Sequence, residues 1–233
     1  MVGNKLKYLG VAIIVIVFGI IVIPKIIEKV KSNSIVDDNR ASSALPLSYV
    51  VLNGEEKKVP SFLLLNQDSL WISNEDYKGK VYVAEFFFTR CPSICPIMNK
   101  NMKKVESQFG DRTDFGIASF SIDTKYDTPS ILKKYAEDYD VFSPNWHFLT
   151  GENDIIFTLA NKGFNIFSSI NPQVAGGFEH QGYFALIDKN GFIRSRTDRF
   201  GNPIVYYLGI DKDDVAVQDV DLLIEDIKKL LKE

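Results

Sequence analysis

The sequence predicts an α/β domain, a mixed central sheet flanked by helices, behind an N-terminal transmembrane helix. Three observations predict it. Two short, nearly continuous apolar runs, VYVAEFFF and FGIASFSI, read as strands buried on both faces. Segments with apolar residues at helical spacing lie between and after them. One uncharged stretch, Tyr8 to Pro24, stands near the N-terminus between Lys7 and Lys25.

That stretch has seventeen residues, the lower limit for a spanning helix. Ile26 and Ile27 extend its apolar face while Lys25 can snorkel. The alternative is a cleaved signal peptide, but no small-x-small site follows the run, and no cysteine nearby can take a lipid. Residues 1–30 are therefore expected to form an uncleaved membrane anchor. Lys5 and Lys7 before the span are balanced by Lys25, Lys29 and Lys31 after it. The short N-terminal side and the large C-terminal part favour a single-pass protein with its domain on the extracytoplasmic, periplasmic side. There a disulfide can persist. Residues 31–44 are polar and aperiodic and read as a flexible linker. The folded domain is expected from 45 to 233, about 190 residues, enough for one core.

Along that domain, residues 81–88 form the first central strand and Pro96 opens a helix to about Phe109, proline being favoured in a first turn. Residues 115–122 form the second strand. Thr128 then caps a helix begun by Pro129, with Ile131, Leu132, Tyr135 and Ala136 as its apolar stripe. Residues 146–149 read as a short strand, and a helix over 152–161 stops at Gly163. Tyr183 to Ile187 and Phe192 to Arg196 flank Asp188-Lys189-Asn190-Gly191, a hairpin signal. In the last helix Val220, Leu223, Ile224, Ile227, Leu230 and Leu231 share a face. Its acids, Asp219 and Asp221, come first, and its lysines, Lys228, Lys229 and Lys232, come last, as the helix dipole favours. This order is consistent with a thioredoxin-like fold.

Hydrophobic residues make up 45% and charged residues 24% of the 233, with a net charge of −3. No basic cluster is long enough to track phosphates, so nucleic-acid binding is not expected. There are two cysteines, Cys91 and Cys95, which excludes a disulfide-stapled mini-protein. They lie just beyond a strand's C-terminal end, where reactive groups collect in α/β sheets. With Pro96 opening a helix, Cys95 sits at its N-terminal cap, where unpaired N–H groups favour a thiolate. Two sulfurs so spaced can close a disulfide or hold one metal ion. Inert buried cysteines are the bland alternative, but such residues rarely flank a proline-rich turn at a strand–helix junction.

A third ligand must come from elsewhere. His180 lies in a glycine-flanked loop before a strand, free to reach a neighbouring strand end. His147 lies inside a strand beside Trp146 and reads as a packed histidine. A Cys2His set suits copper, Cu(I) above all, whereas zinc normally wants a fourth ligand. Met98 and Met102, one helical turn apart, read as core packing rather than thioether ligands.

The segment FLLLNQDSLWISNEDYKGKVYVAEFFFTRCPSICPIM, residues 62–98, resembles the SCO/SenC family of copper proteins. The family's Thr-x-Cys-Pro-x-x-Cys-Pro signature is matched at Thr89, Cys91, Pro92, Cys95 and Pro96. Ser121-Ile122-Asp123 through Asp127-Thr128-Pro129, with ILKKYA behind it, is similar to the family's Asp-rich block. Trp146, Leu149, Thr150 and Gly151 match the next one. The resemblance places the family's copper-binding histidine at His180. It implies a copper carrier, handling Cu(I) and also Cu(II), that helps build the binuclear copper centre of cytochrome c oxidase. Its implied partners are the copper-bearing oxidase subunit and a copper donor protein. Asp123 and Glu179 are then candidate groups supporting the ligands. The chain departs from the family around His180, with Glu179 in place of Asp and Gln181 in place of Ser or Thr. It also lacks the acid of a Tyr-Asp-Gly segment, having Tyr207-Leu208-Gly209. A thiol–disulfide reductase using Cys91 and Cys95 catalytically is the alternative function. Against it stand the Cys-x-x-x-Cys spacing and the absence of any task for His180. A peroxidase would need threonine where Phe88 and Pro92 stand.

Overall fold

The computed structural model describes residues 15–24, 46–197, 202–213, 215 and 217–233. The chain divides between Ala41 and Ser42 into two units. In the first, residues 15–24 form helix α1, with Val15, Ile16, Phe18, Ile20, Ile21 and Ile23 exposed. Among the described residues no helix is long and apolar enough to cross a membrane. The rest of the expected anchor, 1–14 and 25–30, and the linker, 31–44, lie outside the described residues.

The second unit opens with short strands β1 (Ser48–Tyr49), β2 (Val51–Leu52), β3 (Glu55–Glu56), β4 (Leu63–Leu65) and β5 (Trp71–Ser73). Then follow β6 (Val81–Phe87), α2 (Cys95–Phe109), β7 (Phe115–Ser121), α3 (Pro129–Asp138), β8 (Trp146–Leu149) and α4 (Asn153–Thr158). The chain closes with β9 (Ser168–Ile170), β10 (Phe178–His180), β11 (Tyr183–Ile187), β12 (Ile193–Ser195), β13 (Tyr207–Leu208) and α5 (Asp219–Leu230). The main sheet runs β1-β12-β11-β6-β7-β8, with β13 also paired to β11. β6, β7 and β8 are parallel, and β11 runs antiparallel to β6. The sheet is therefore mixed, as expected.

β6 and β7 are buried at every position, which is why their sequences do not alternate. They pair from Val81↔Phe115 to Phe87↔Ser121. Phe86 stacks on Phe120 with ring centroids 5.2 Å apart, and Phe87 meets Phe148 edge-on. Each such buried ring contributes about 1.5–3 kcal/mol relative to exposure. α2 packs on α5, and α3 packs on β8.

Two expected helix boundaries change. The helix after β8 does not stop at Gly163; it runs on as a wider π turn through Leu159–Phe164 and ends at Asn165, whose φ is 54°. Gly163 instead lies against Pro60, where an added Cβ would come within 3.1 Å of the proline ring. Thr128 occupies the N-cap of α3, but its hydroxyl bonds Ser130 rather than the helix backbone.

Burial also encloses an ion network that binds α5 to the sheet. Asp226, fully buried, accepts hydrogen bonds from the Arg196 guanidinium and from the Tyr207 hydroxyl, the latter at 2.8 Å. Lys229 Nζ lies 2.8 Å from its other oxygen. Removing one partner strands the others' charge away from water. Asp226→Ala should therefore cost about 3 kcal/mol of unfolding free energy, measured by urea denaturation.

Candidate metal centre

β6 ends at Phe87, and the chain turns sharply, with the Cys91 amide donating to the Phe88 carbonyl at 3.1 Å. Cys95 is the first residue of α2 and Ile94 its N-cap, one position earlier than the sequence suggested. The turn is fastened to the β7–α3 loop at two points. Asp127, fully buried, accepts from the Thr89 amide at 3.0 Å, the Thr89 hydroxyl at 2.5 Å and the Ser121 hydroxyl at 2.5 Å. Arg90 donates to Asp123 through Nη2 at 2.5 Å and lies 4.0 Å over the Tyr126 ring.

His180 arrives on a separate two-stranded sheet. It ends β10, paired antiparallel to β9 with His180 opposite Ser168, so it is a strand residue rather than the loop residue expected. Gly176, at φ 88°, lets the intervening turn come down on Phe88 and Pro92; a Cβ there would sit 2.8 Å from the Phe88 ring. Phe88 meets the imidazole edge-on, with centroids 5.7 Å apart.

These elements bring Cys91, Cys95 and His180 together. His180 Nε2 lies 3.3 Å from Cys95 Sγ and 4.0 Å from Cys91 Sγ, and all three ligand atoms fall within 4.8 Å of one another. Metal–sulfur and metal–nitrogen bonds of about 2.3 and 2.0 Å place the donors of a planar three-coordinate site about 3.7 Å apart. The observed spacing fits such an ion, and two sulfurs with one imidazole are donors that copper favours. Beside them opens a cleft of about 300 Å³ lined by Phe88, Ile94, Val174, Phe178 and Glu179 among others.

The thiols differ. The neighbouring Cys95 thiol, aided by His180 and opposed by burial, pushes Cys91 down. Cys95 goes up, because its proton is held on the Cys91 sulfur and because it is buried. Cys91 is thus the more acidic thiol of the pair.

A family model described as SCO1/SenC matches residues 51–212. The chain belongs to the SCO1/SenC family. The SCO1 protein homolog of Bacillus subtilis is 36% identical over 148 residues, 63% of this chain and 72% of that one. A solved SCO1/SenC family lipoprotein from Bacillus anthracis superposes with a TM-score of 0.63 at 29% identity, covering 75% of this chain and 95% of its own. BsSco, described as a disulfide-switch member of the Sco family of cytochrome c oxidase assembly proteins, gives a TM-score of 0.60 at 31% identity. That match covers 75% and 93% of the two chains. The thioredoxin-like fold expected from the element order is the fold of these Sco structures.

The other residues singled out in this SCO1/SenC chain take different places. Asp123 holds Arg90 and so supports the cysteine turn rather than the histidine. Glu179 accepts from Asn171 at 2.7 Å, and Gln181 accepts from the Phe167 amide at 2.9 Å. The two departures flanking His180 therefore tie its strand to the β9 side. Met98 and Met102 are fully buried in the core. His147 lies outside the cluster, against Asn66 and the Tyr77 ring.

Two features escaped the sequence reading. One is the paired Asp127–Thr89 and Asp123–Arg90 fastening. The other is Glu85 on β6, a fully buried carboxyl that burial pushes up to about 7 against a hydrogen bond from Ser119. Its charge adds to the rise of Cys95. A lone acid inside VYVAEFFF was the available signal.

Proposed function

We propose that this protein is a membrane-tethered copper carrier that binds copper through Cys91, Cys95 and His180 and passes it to the copper-bearing subunit of cytochrome c oxidase. The observation that carries the reading is the convergence of three soft donors from segments 85 residues apart. Likeness to BsSco supports the oxidase as recipient. The N-terminal apolar segment supplies the tether, the domain stands on the extracytoplasmic side, and a copper donor protein loads it. Copper here is cargo, taken as Cu(I) and also as Cu(II), so the chain's residues need only bind, orient and release it. Both sulfurs bind as thiolates, the more acidic Cys91 the more readily, so loading releases protons.

The test is a titration of the reduced full chain in nonionic detergent with Cu(I), in competition with a chromophoric chelator. One copper per chain is expected, and none in a Cys91→Ser, Cys95→Ser double variant. Failure of the parent to bind, or equal binding by that variant, overturns the reading.

A second reading is favoured by the unequal thiols. In a thiol–disulfide reductase the Cys91 thiolate attacks a target disulfide and expels one target thiolate. Cys95 then attacks the mixed disulfide, leaving a Cys91–Cys95 disulfide and a target with two thiols. Reduction of the oxidase's copper-site cysteines would serve the same assembly.

A further inference from the structure

At the opposite end of β6 from the cysteines lies a cleft of about 450 Å³, larger than the one beside His180. Its walls are Asn74, Glu75 and Tyr77 of the 3-10 turn Asn74–Tyr77 with Lys78, Tyr82 of β6, the β11–β12 turn Lys189-Asn190-Gly191, and Lys58 with Phe192. β6 is seven residues long, so about 20 Å of strand separates this cleft from the metal centre.

The charges facing the cleft are unbalanced. Three ammonium groups line it, from Lys58, Lys78 and Lys189, against one carboxylate, Glu75. Glu75 is already bound to Lys78 at 3.2 Å. Lys58 lies 5.3 Å over the Phe192 ring, and Lys189 donates only to the Leu231 carbonyl at 3.3 Å. Neither forms a salt bridge among the described residues; Lys189 acts at longer range on Asp114, which is itself paired with Arg112 at 2.7 Å. The nearby acid Asp188 is committed to Arg194 at 3.0 Å. Gly191, at φ 84°, leaves room for the Lys58 stem to lie along the turn, where a Cβ would come within 3.4 Å of it.

Tyr82 adds a neutral donor. It is 2% exposed, and its ring is fixed against Tyr77 with centroids 4.5 Å apart. It lines the cleft, and its hydroxyl is left to solvent there. Burial and the charge of Asp188 push its acidity far down, so it stays protonated and serves as a donor. Two unpaired ammonium groups and one neutral donor around a cleft of this size form a receptor for a tetrahedral oxyanion.

We propose that the cleft between Lys58, Lys189 and Tyr82 is a phosphate-binding site, for free phosphate or for the phosphate of a lipid headgroup, distinct from the metal centre. A ligand there touches neither cysteine nor His180, so it acts on the placement of the domain and not on its donors.

The test is isothermal titration of the full chain in nonionic detergent with three separate probes: inorganic phosphate, glycerol phosphate, and dioctanoyl phosphatidylglycerol. Saturable binding at one site per chain is expected for at least one probe. Binding of phosphate and glycerol phosphate assigns a soluble ligand; binding of the lipid alone assigns a headgroup. Each charge-assisted hydrogen bond lost should weaken binding about tenfold or more. Tyr82→Phe, which keeps the ring, and Lys58→Gln with Lys189→Gln should each show that loss while Cu(I) titration stays at the parent value. No saturable binding by any probe, or unchanged binding by both variants, overturns the proposal.

Discussion

His180→Ala should lower Cu(I) affinity about 100-fold or more, because loss of even a group supporting a ligand costs about 10–100-fold. His180 is one of the three proposed donors, and Nε2 stands 3.3 and 4.0 Å from the two sulfurs. Its substitution leaves two sulfurs and opens the third side of the ion to water. His147→Ala removes the chain's other imidazole and should leave copper binding at the parent value, since His147 lies against Asn66 and Tyr77. Both variants are titrated with Cu(I) against a chelator, alongside a disulfide-exchange assay. Exchange needs only Cys91 and Cys95, so it should survive in His180→Ala. Parent-like copper binding by His180→Ala would remove the histidine from the site. If in addition neither variant impaired oxidase assembly in cells, the reductase function would take precedence.

Oxidation should abolish copper binding altogether. Cys91 and Cys95 are both free thiols with their sulfurs in one cluster, so a mild oxidant should close an intramolecular disulfide. Mass spectrometry should record the loss of two hydrogens per chain. A disulfide has neither thiolate charge nor the lone-pair basicity that a soft metal ion needs, and the remaining imidazole cannot hold the ion alone. Reduction should restore full stoichiometry. Persistent binding by the oxidised form would mean that copper sits elsewhere.

The parts of the fold legible in the sequence are those where one residue class dominates. Residues buried on both faces left continuous apolar runs for β6 and β7, and α5 carried both its apolar face and its charge gradient. The two- and three-residue strands β1 to β5, β9, β10 and β13 left no periodic trace, being too short to alternate. The clustering of the cysteines with His180 was legible because cysteine and histidine are scarce in this chain and the chemistry of a soft-metal site needs them. Which thiol is the more acidic was not legible, because it depends on how the two sulfurs approach each other and on burial, both products of the folded turn. The Asp127–Thr89 contact spans 38 residues and becomes visible only when β6 and β7 lie side by side.

The two halves of the metal centre are built to different standards of rigidity. The cysteine half hangs from the central strand of the sheet and is bolted at Asp127 and Asp123 to its parallel neighbour. The histidine half rides on two strands of three residues each, outside the main sheet, joined by a turn with consecutive left-handed glycines, Gly176 and Gly177. Such a ladder opens at far lower cost than the core. For a carrier this makes a vice with one fixed and one yielding jaw. In such a build the imidazole would yield to a recipient's ligand before the sulfurs did.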